Sequence, residues 1–279
     1  MPEKVAVAPL EAKNPFQLRI NLGKHVAEAD VRGALATGDM GFLHSFTTGS
    51  TVDGPGVRVV AWTSGCMWRC LYCHNPDTWV MTNGLPISVK EAVAELRKYR
   101  NALRVMSGGF TLSGGEPLMQ HRFAVKLLTA ARGIGIHTAL DTNGYHGDKL
   151  SDAELEAADL YLLDMKAWDP EQHRKLTSMD NAPTLAFARR LAQRRRPIWL
   201  RYVLVPGLSD DATGITAIAR FAADLGNVAR VDVLPFHQMG RFKWQQLGLN
   251  YTLDAVETPS DELVERTIAI FRAEGLTAY

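Results

Sequence analysis

This sequence has little cysteine, almost no net charge and no long apolar run. Its 279 residues contain 3 Cys, 31 Lys+Arg and 30 Asp+Glu, for a formal net charge of +1. So few cysteines, odd in number, exclude a secreted disulfide scaffold and point to a reducing compartment. Balanced charge leaves no basic field of the kind that nucleic-acid binding draws on. No apolar run approaches the roughly 20 residues of a membrane span. The apolar stretch of MPEKVAVAPLEAK is interrupted by Glu11 and Lys13 too soon for a secretory signal. The expectation is a cytoplasmic globular protein with no nucleic acid or membrane among its partners. With 46% hydrophobic and 22% charged residues the chain has the makings of a large core, which excludes wholesale disorder.

What is present falls into two regions. Residues 1–40 carry Pro2, Pro9, Pro15, Gly23, Gly33 and Gly38 without a sustained period. They read as an N-terminal extension with a short helix over about 28–35. Residues 41–279 read as one α/β domain. Apolar, β-branched runs predict six strands at 57–64, 110–112, 136–140, 160–163, 198–205 and 228–234. Helical spacing fills the intervals at 88–100, 122–132, 183–195, 211–225 and 260–274, with another helix starting at Ser151. Ser88 with Glu91, and Ser151 with Glu154, form the S-x-x-E pattern of a capping box. Strands alternating with helices imply parallel βαβ units with right-handed crossovers. A closed eight-fold barrel typically takes about 250 residues. Six strands beginning near residue 57 instead predict an incomplete (β/α)6 TIM-like barrel.

Nearly every polar cluster follows a strand. CMWRCLYCHN follows the first, SGGEP the second, DTNG the third and DMK the fourth. Arg201 lies in the fifth, which ends in VPG, and PFH ends the sixth. Barrel active sites are built at the C-terminal strand ends, so these groups should share one rim. Two glycines before Glu116 would let backbone approach a ligand closely. The oxygens of Asp141 and Thr142 suit a hard cation, or an Asx turn completed by Asn143 and Gly144. Asp164 and Lys166, two apart, would share a strand face or form a local ion pair. The basic groups Arg189–Arg190 and Arg194–Arg196 fit a solvated helix C-terminus.

All three cysteines, Cys66, Cys70 and Cys73, fall in one loop at the spacing C-x3-C-x2-C. Structural zinc and cubane 4Fe–4S centres usually take four protein ligands. Three thiolates leave one iron open to a small molecule, the mark of a catalytic centre. Two other readings stand beside this one. The thiols could be packed as small hydrophobes, although Trp68, Arg69 and Tyr72 flank them. They could bind zinc with His74, although its adjacency to Cys73 makes joint ligation awkward.

The cysteine spacing, with Tyr72 before the last Cys, resembles the signature of radical S-adenosylmethionine enzymes. TVDGPGVR (51–58), CLYCHNPDTW (70–79), SGGEP (113–117), LDTNG (140–144), LLDMK (162–166), WLRYVLVPG (199–207) and LPFHQMG (234–240) extend the likeness. From about residue 41 to the C-terminus the chain resembles the glycyl-radical-enzyme activases, in particular those of pyruvate formate-lyase. The resemblance implies a 4Fe–4S cluster on Cys66, Cys70 and Cys73, with S-adenosyl-L-methionine bound at the fourth iron. It implies reductive cleavage to methionine and a 5′-deoxyadenosyl radical, which takes a hydrogen atom from a glycine of pyruvate formate-lyase. It implies that Tyr72, Gly114, Gly115, Glu116, Asp141, Asp164, Lys166 and His237 surround the cofactor. A monovalent cation would be held by Asp141, Thr142 and the Leu162 carbonyl. Asp53 and Arg201 would dock the partner's glycyl loop, and a flavodoxin- or ferredoxin-type protein would supply the electron. No Cys occurs in the roughly 40 residues between Cys73 and Gly114, which favours the short type over relatives with an inserted ferredoxin-like domain. Two alternatives remain at this point: an activase of a different glycyl-radical enzyme, and a non-catalytic iron–sulfur or zinc protein.

Overall fold

The computed structural model describes residues 28–279, with side chains from Arg32 onward. Residues 1–27, and so most of the expected extension, lie outside the described residues. Eight strands form one sheet: β1 (Met40–Ser50), β2 (Arg58–Thr63), β3 (Leu85–Ser88), β4 (Gly109–Gly114), β5 (His137–Thr142), β6 (Leu160–Asp164), β7 (Ile198–Leu204) and β8 (Val228–Pro235). Their order is β3-β1-β2-β4-β5-β6-β7-β8, and β3 does not pair with β8, so the barrel stays open. The six strands from β2 to β8, β3 excepted, run parallel, as expected for (β/α)6. β1 and β3 are antiparallel additions at one edge.

The helices are α1 (Glu28–Thr37), α2 (Val89–Val105), α3 (His121–Gly133), α4 (Pro170–Thr177), α5 (Ala182–Gln193), α6 (Ala212–Leu225), α7 (Arg241–Gln246) and α8 (Asp261–Ala273). Local chemistry sets their starts. Ser88 accepts from Glu91 N while Glu91 reaches back to Ser88 N, the predicted capping box. Asp169, Asp211 and Ser260 cap α4, α6 and α8. α1 is tied to α3: Arg122 Nη1 donates to Ala36 O at 2.6 Å, and Lys126 pairs with Asp39.

Strand alternation sorts the side chains. Val59, Ala61, Phe110, Leu112, Leu140, Tyr161, Leu163, Leu200, Tyr202, Val231 and Val233 enter the core under the helices. Full burial of one such side chain is worth roughly 1.5–3 kcal/mol. The alternate residues line the barrel interior, where Ala139, Leu160 and Leu162 pack against Trp199. Higher on the same face stand Ser113, Asp141, Asp164 and Arg201. The polar rim is therefore a consequence of the period of two.

Several sequence expectations are corrected. The segment after Ser151 forms a single 3-10 turn, Glu154–Ala157, in place of a helix, although Ser151 and Glu154 do bond reciprocally. Too few residues separate that turn from β6, and Asp159 is drawn onto Thr138 N and Oγ1. β1 and β3 were not expected, nor was α4, whose Asp169–Pro170–Glu171 start is a readable helix signal. Of the basic residues at the end of α5, Arg189, Arg194 and Arg195 are exposed as expected, whereas Arg190 and Arg196 are half-buried. Arg190 and Arg194 both pair with Asp152, and Arg196 pairs with Glu156.

α4 supports the cysteine loop through His173, whose ring meets Trp68 edge-on at 4.9 Å. Burial holds the His173 imidazole below its ordinary range, with the Met179 carbonyl at 2.8 Å opposing. Below about pH 6.5 the unfolded chain binds a proton here that the folded chain resists, so stability falls with pH. The urea midpoint should drop between about pH 7 and pH 5. The drop should be smaller in His173→Gln; an unchanged slope would show that this residue contributes nothing to it.

Candidate active site

The loop between β2 and β3 contains all three cysteines, free and half-buried. Backbone bonds pin it at both ends. Gly65 N donates to Thr78 O and Cys66 N to Trp79 O, while Arg69 N and Leu71 N donate to Thr177 O and Leu176 O at the end of α4. Trp244 Nε1, on α7, donates to Cys73 O at 2.8 Å. Arg69 lies over Trp79, which meets Trp244 edge-on. Burial pushes all three thiols up, Cys70 to about 12, with neighbouring thiols adding to the shift of Cys66 and Cys70.

The SGGEP turn presses against this loop. Gly114 has φ +125°, and a Cβ there would lie 2.1 Å from Thr63 N. A Cβ on Gly115 would lie 2.5 Å from Gly65 O. Only glycine fits either position. Glu116 is fully buried and accepts from Leu118 N, Thr142 Oγ1 and Asn143 N at 2.7–2.9 Å. Burial raises its carboxyl to about 7 against those three donors. Glu116 thus ties the end of β4 to the end of β5. The DTNG segment makes the expected Asx turn, with Tyr145 N donating to Asn143 Oδ1.

Arg201 Nη1 donates to Asp141 Oδ2 at 3.0 Å and lies 3.4 Å from Asp53 Oδ1. Ser113 Oγ donates to the same Asp141 oxygen at 2.6 Å. Burial pushes the Asp141 carboxyl up, with Arg201 and Ser113 pulling against it. Burial also opposes the Arg201 charge, but Asp141, Asp164, Asp53 and Asp232 outweigh it, so the guanidinium stays charged. Lys166 pairs with Asp164 at 2.9 Å and lies over the Tyr72 ring. β6 stops at Asp164, so the pair forms across the strand end and not along one face. Tyr72 Oη and Arg201 Nε are buried with no partner.

The structure brings together most residues singled out from the sequence. Cys70, Tyr72, Asp164 and Lys166 form one group, Glu116 and Thr142 a second, and Asp53, Asp141 and Arg201 a third. Leu162 pairs in register with Asp141. His237 packs on His74 with ring centroids 4.2 Å apart. Asp53 stands apart from the rim: it sits in the β1–β2 hairpin, at the N-terminal end of the parallel strands, and Arg201 reaches it through the interior. Ser113 and Trp244 were not singled out. Ser113 sits in a motif already quoted, whereas Trp244 arrives from about 170 residues downstream with no local signal. Among the described residues no three His, Cys, Asp or Glu side chains converge on one metal ion. The Nε2 of His74 lies 3.3 Å from His237 O. Three thiols around one loop suit a cluster in which each binds a different iron. Two cavities, about 730 and 370 Å³, lie off this rim, against α6 and beside His137.

An open parallel barrel with three loop cysteines at its C-terminal rim defines a class. The Radical SAM superfamily profile matches residues 60–217, and the chain belongs to that superfamily. It is 41% identical over 238 residues, 85% of this chain and 97% of the relative, to the pyruvate formate-lyase 1-activating enzyme of Escherichia coli strain K12. It is 42% identical over 233 residues to the pyruvate formate-lyase-activating enzyme of Listeria monocytogenes serovar 1/2a, covering 81% and 93% of the two chains. A crystal structure of a domain of pyruvate-formate lyase-activating enzyme from Bacteroides vulgatus matches with a TM-score of 0.52 and 29% identity, over 62% of this chain and 98% of that one. Within the superfamily, the chain belongs to the family of pyruvate formate-lyase-activating enzymes. Among the described residues no helix is long and apolar enough to cross a membrane.

Proposed function

We propose that this chain activates pyruvate formate-lyase by converting one glycine of that protein to a glycyl radical. The observation that carries the reading is the pinned three-cysteine loop, set against a glycine turn and a cluster of buried charges, in a chain 41% identical to such an activase. The donor set fits the group the family implies: three loop thiols for a 4Fe–4S cluster, with buried, unpartnered polar atoms on Tyr72 and Arg201. When bound and reduced, the cluster supplies reductive cleavage of S-adenosyl-L-methionine to a 5′-deoxyadenosyl radical that takes the glycine hydrogen atom.

The chain's residues bind and orient. Cys66, Cys70 and Cys73 hold three irons. Gly114 and Gly115 offer backbone to the methionine amino group, and Glu116, its oxygens already taken by the fold, positions that backbone. Asp164 and Lys166, paired with each other beside Tyr72, would bind the ribose, and His237 would meet the adenosyl moiety. Asp141 Oδ1, the remaining lone pair of Thr142 Oγ1 and the Leu162 carbonyl would hold a monovalent cation. Asp53 and Arg201 receive the partner's glycine-bearing segment. A flavodoxin- or ferredoxin-type donor supplies the electron.

Anaerobic reconstitution with iron and sulfide tests this. Roughly four irons per chain, 5′-deoxyadenosine on reduction, and a glycyl radical on pyruvate formate-lyase by electron paramagnetic resonance are expected. About one zinc per chain with no 5′-deoxyadenosine would refute it. A radical formed only on another glycyl-radical enzyme would move the target.

A further inference from the structure

Two rows of inward-facing side chains cross from the barrel interior to its open edge. Strand register defines them: Leu162 pairs with Trp199 and Trp199 with Arg230, while Asp164 pairs with Arg201 and Arg201 with Asp232. By register the C-terminal residue Tyr279 stands level with Asp232 at the end of the second row, and its ring leans across to Arg230 of the first. Residues 277–279 pair in parallel with β8: Val231 N donates to Thr277 O, Tyr279 N to Val231 O, and Val233 N to Tyr279 O. Ala278 is buried in the helix-side core, so alternation turns Tyr279 to the inner face. There it meets Arg230, whose guanidinium lies 4.3 Å from the Tyr279 ring and 4.7 Å from the Trp199 ring. Arg230 Nε is fixed by Asp232 Oδ1 at 2.5 Å. Trp199 in turn packs on Ala139, Leu160 and Leu162 deep in the barrel.

The result is an aromatic–cation–aromatic stack that forms a floor, with the Arg230 guanidinium over the faces of both rings. Strand register links it from the exposed edge, where Tyr279 is 56% accessible, to Asp141, because Trp199 pairs with Leu162 and Leu162 with Asp141. We infer that this floor seats the glycine-bearing segment of the partner protein as it enters the barrel, with Trp199, Arg230 and Tyr279 as specificity-determining residues. The inference rests on the proposed function. Three features favour an extended polypeptide as occupant. The floor is continuous with the pocket where the glycine must arrive. The parallel row offers the Asp232 carboxylate, one oxygen held by Arg230 and the other left as an acceptor for a peptide N–H. Arg201 is paired with Asp53 and Asp141, and Arg230 with Asp232, so neither arginine is left as a free cation for a phosphate-bearing ligand. A glycine-centred segment, lacking a side chain at its middle, can approach the edge of such a stack closely.

The test uses the full chain, reconstituted and loaded with S-adenosyl-L-methionine. A synthetic peptide spanning the radical-bearing glycine of pyruvate formate-lyase is titrated by calorimetry. Tyr279→Ala and Arg230→Met should each weaken its Kd by about tenfold, whereas Tyr279→Phe should stay within about twofold of the unmodified chain. With intact pyruvate formate-lyase, KM should rise by a similar factor with kcat little changed. Circular dichroism identifies any variant that fails to fold, and Arg230→Met, which keeps an apolar stem in the stack, then decides. If the folded variants bind the peptide as the unmodified chain does, the inference is overturned while the proposed function stands. If the unmodified chain binds no such peptide, both fall.

Discussion

Cys70→Ser should leave the chain folded and lower 5′-deoxyadenosine formation more than roughly a thousandfold, a loss of at least about 4 kcal/mol in barrier terms. Iron takes the thiolate, which the site must generate from a thiol that burial has pushed up to about 12. A serine hydroxyl is far harder to deprotonate, and its oxygen is a poor match for a centre that selects soft sulfur. The loop should survive the change because main-chain bonds hold it: Arg69 N to Thr177 O, Leu71 N to Leu176 O, and Cys73 N to Cys70 O. The shift in unfolding free energy should stay below about 1 kcal/mol. Iron analysis, 5′-deoxyadenosine assay and urea unfolding separate the two effects. Substantial activity with a full iron complement would overturn the cluster assignment. Cys66→Ser and Cys73→Ser should behave alike.

Arg201→Met should be the most destabilising single change at the site, by about 3–5 kcal/mol. Methionine keeps much of the volume but strips Asp141 and Asp53 of the cation they share, 3.0 and 3.4 Å away. Both carboxylates are buried, so each is left charged in a poorly solvating interior. Burial already pushes the Asp141 carboxyl up against the pull of Arg201, and without that pull its folded-state pKa rises further above the unfolded one, so stability is lost as pH rises and regained as pH falls. The double variant Arg201→Met/Asp141→Asn removes one stranded charge and should recover more than about 1 kcal/mol of the loss. Additive behaviour of the two substitutions in urea unfolding would show that the pair does not act as a unit.

How much was legible beforehand differs from element to element. The parallel strands could be read because residues buried on both faces give continuous β-branched runs, as in VRVVAWTS and LYLLD. The capping box at Ser88 could be read because it lies within four residues of chain. β1 escaped because FLHSFTTGS carries glycine and polar residues and lacks a continuous β-branched run. The Ser151 segment shows the converse: its cap is as good locally as that of Ser88, yet the demand of β6 for the chain cuts the helix to one turn. At the site, Cys66, Gly114, Glu116, Asp141 and Lys166 could be found because each stands in a short motif directly after a strand. Trp244, Arg230 and Tyr279 have no such address.

The sequence by itself determined the number and spacing of the cysteines, the alternation that makes an open parallel barrel, and the motifs at the strand ends. These depend on periodicity and on neighbours within a few residues, and such information is carried along the chain. Only the tertiary structure decided that Asp53 reaches the rim chemistry from the opposite end of the barrel through Arg201. It also decided that Glu116 spends its oxygens on the fold, and that Tyr279 closes a stack begun by Trp199. Those pairings span tens to hundreds of residues and arise from strand register, which aligns side chains across hydrogen-bonded neighbours and leaves no mark in local spacing.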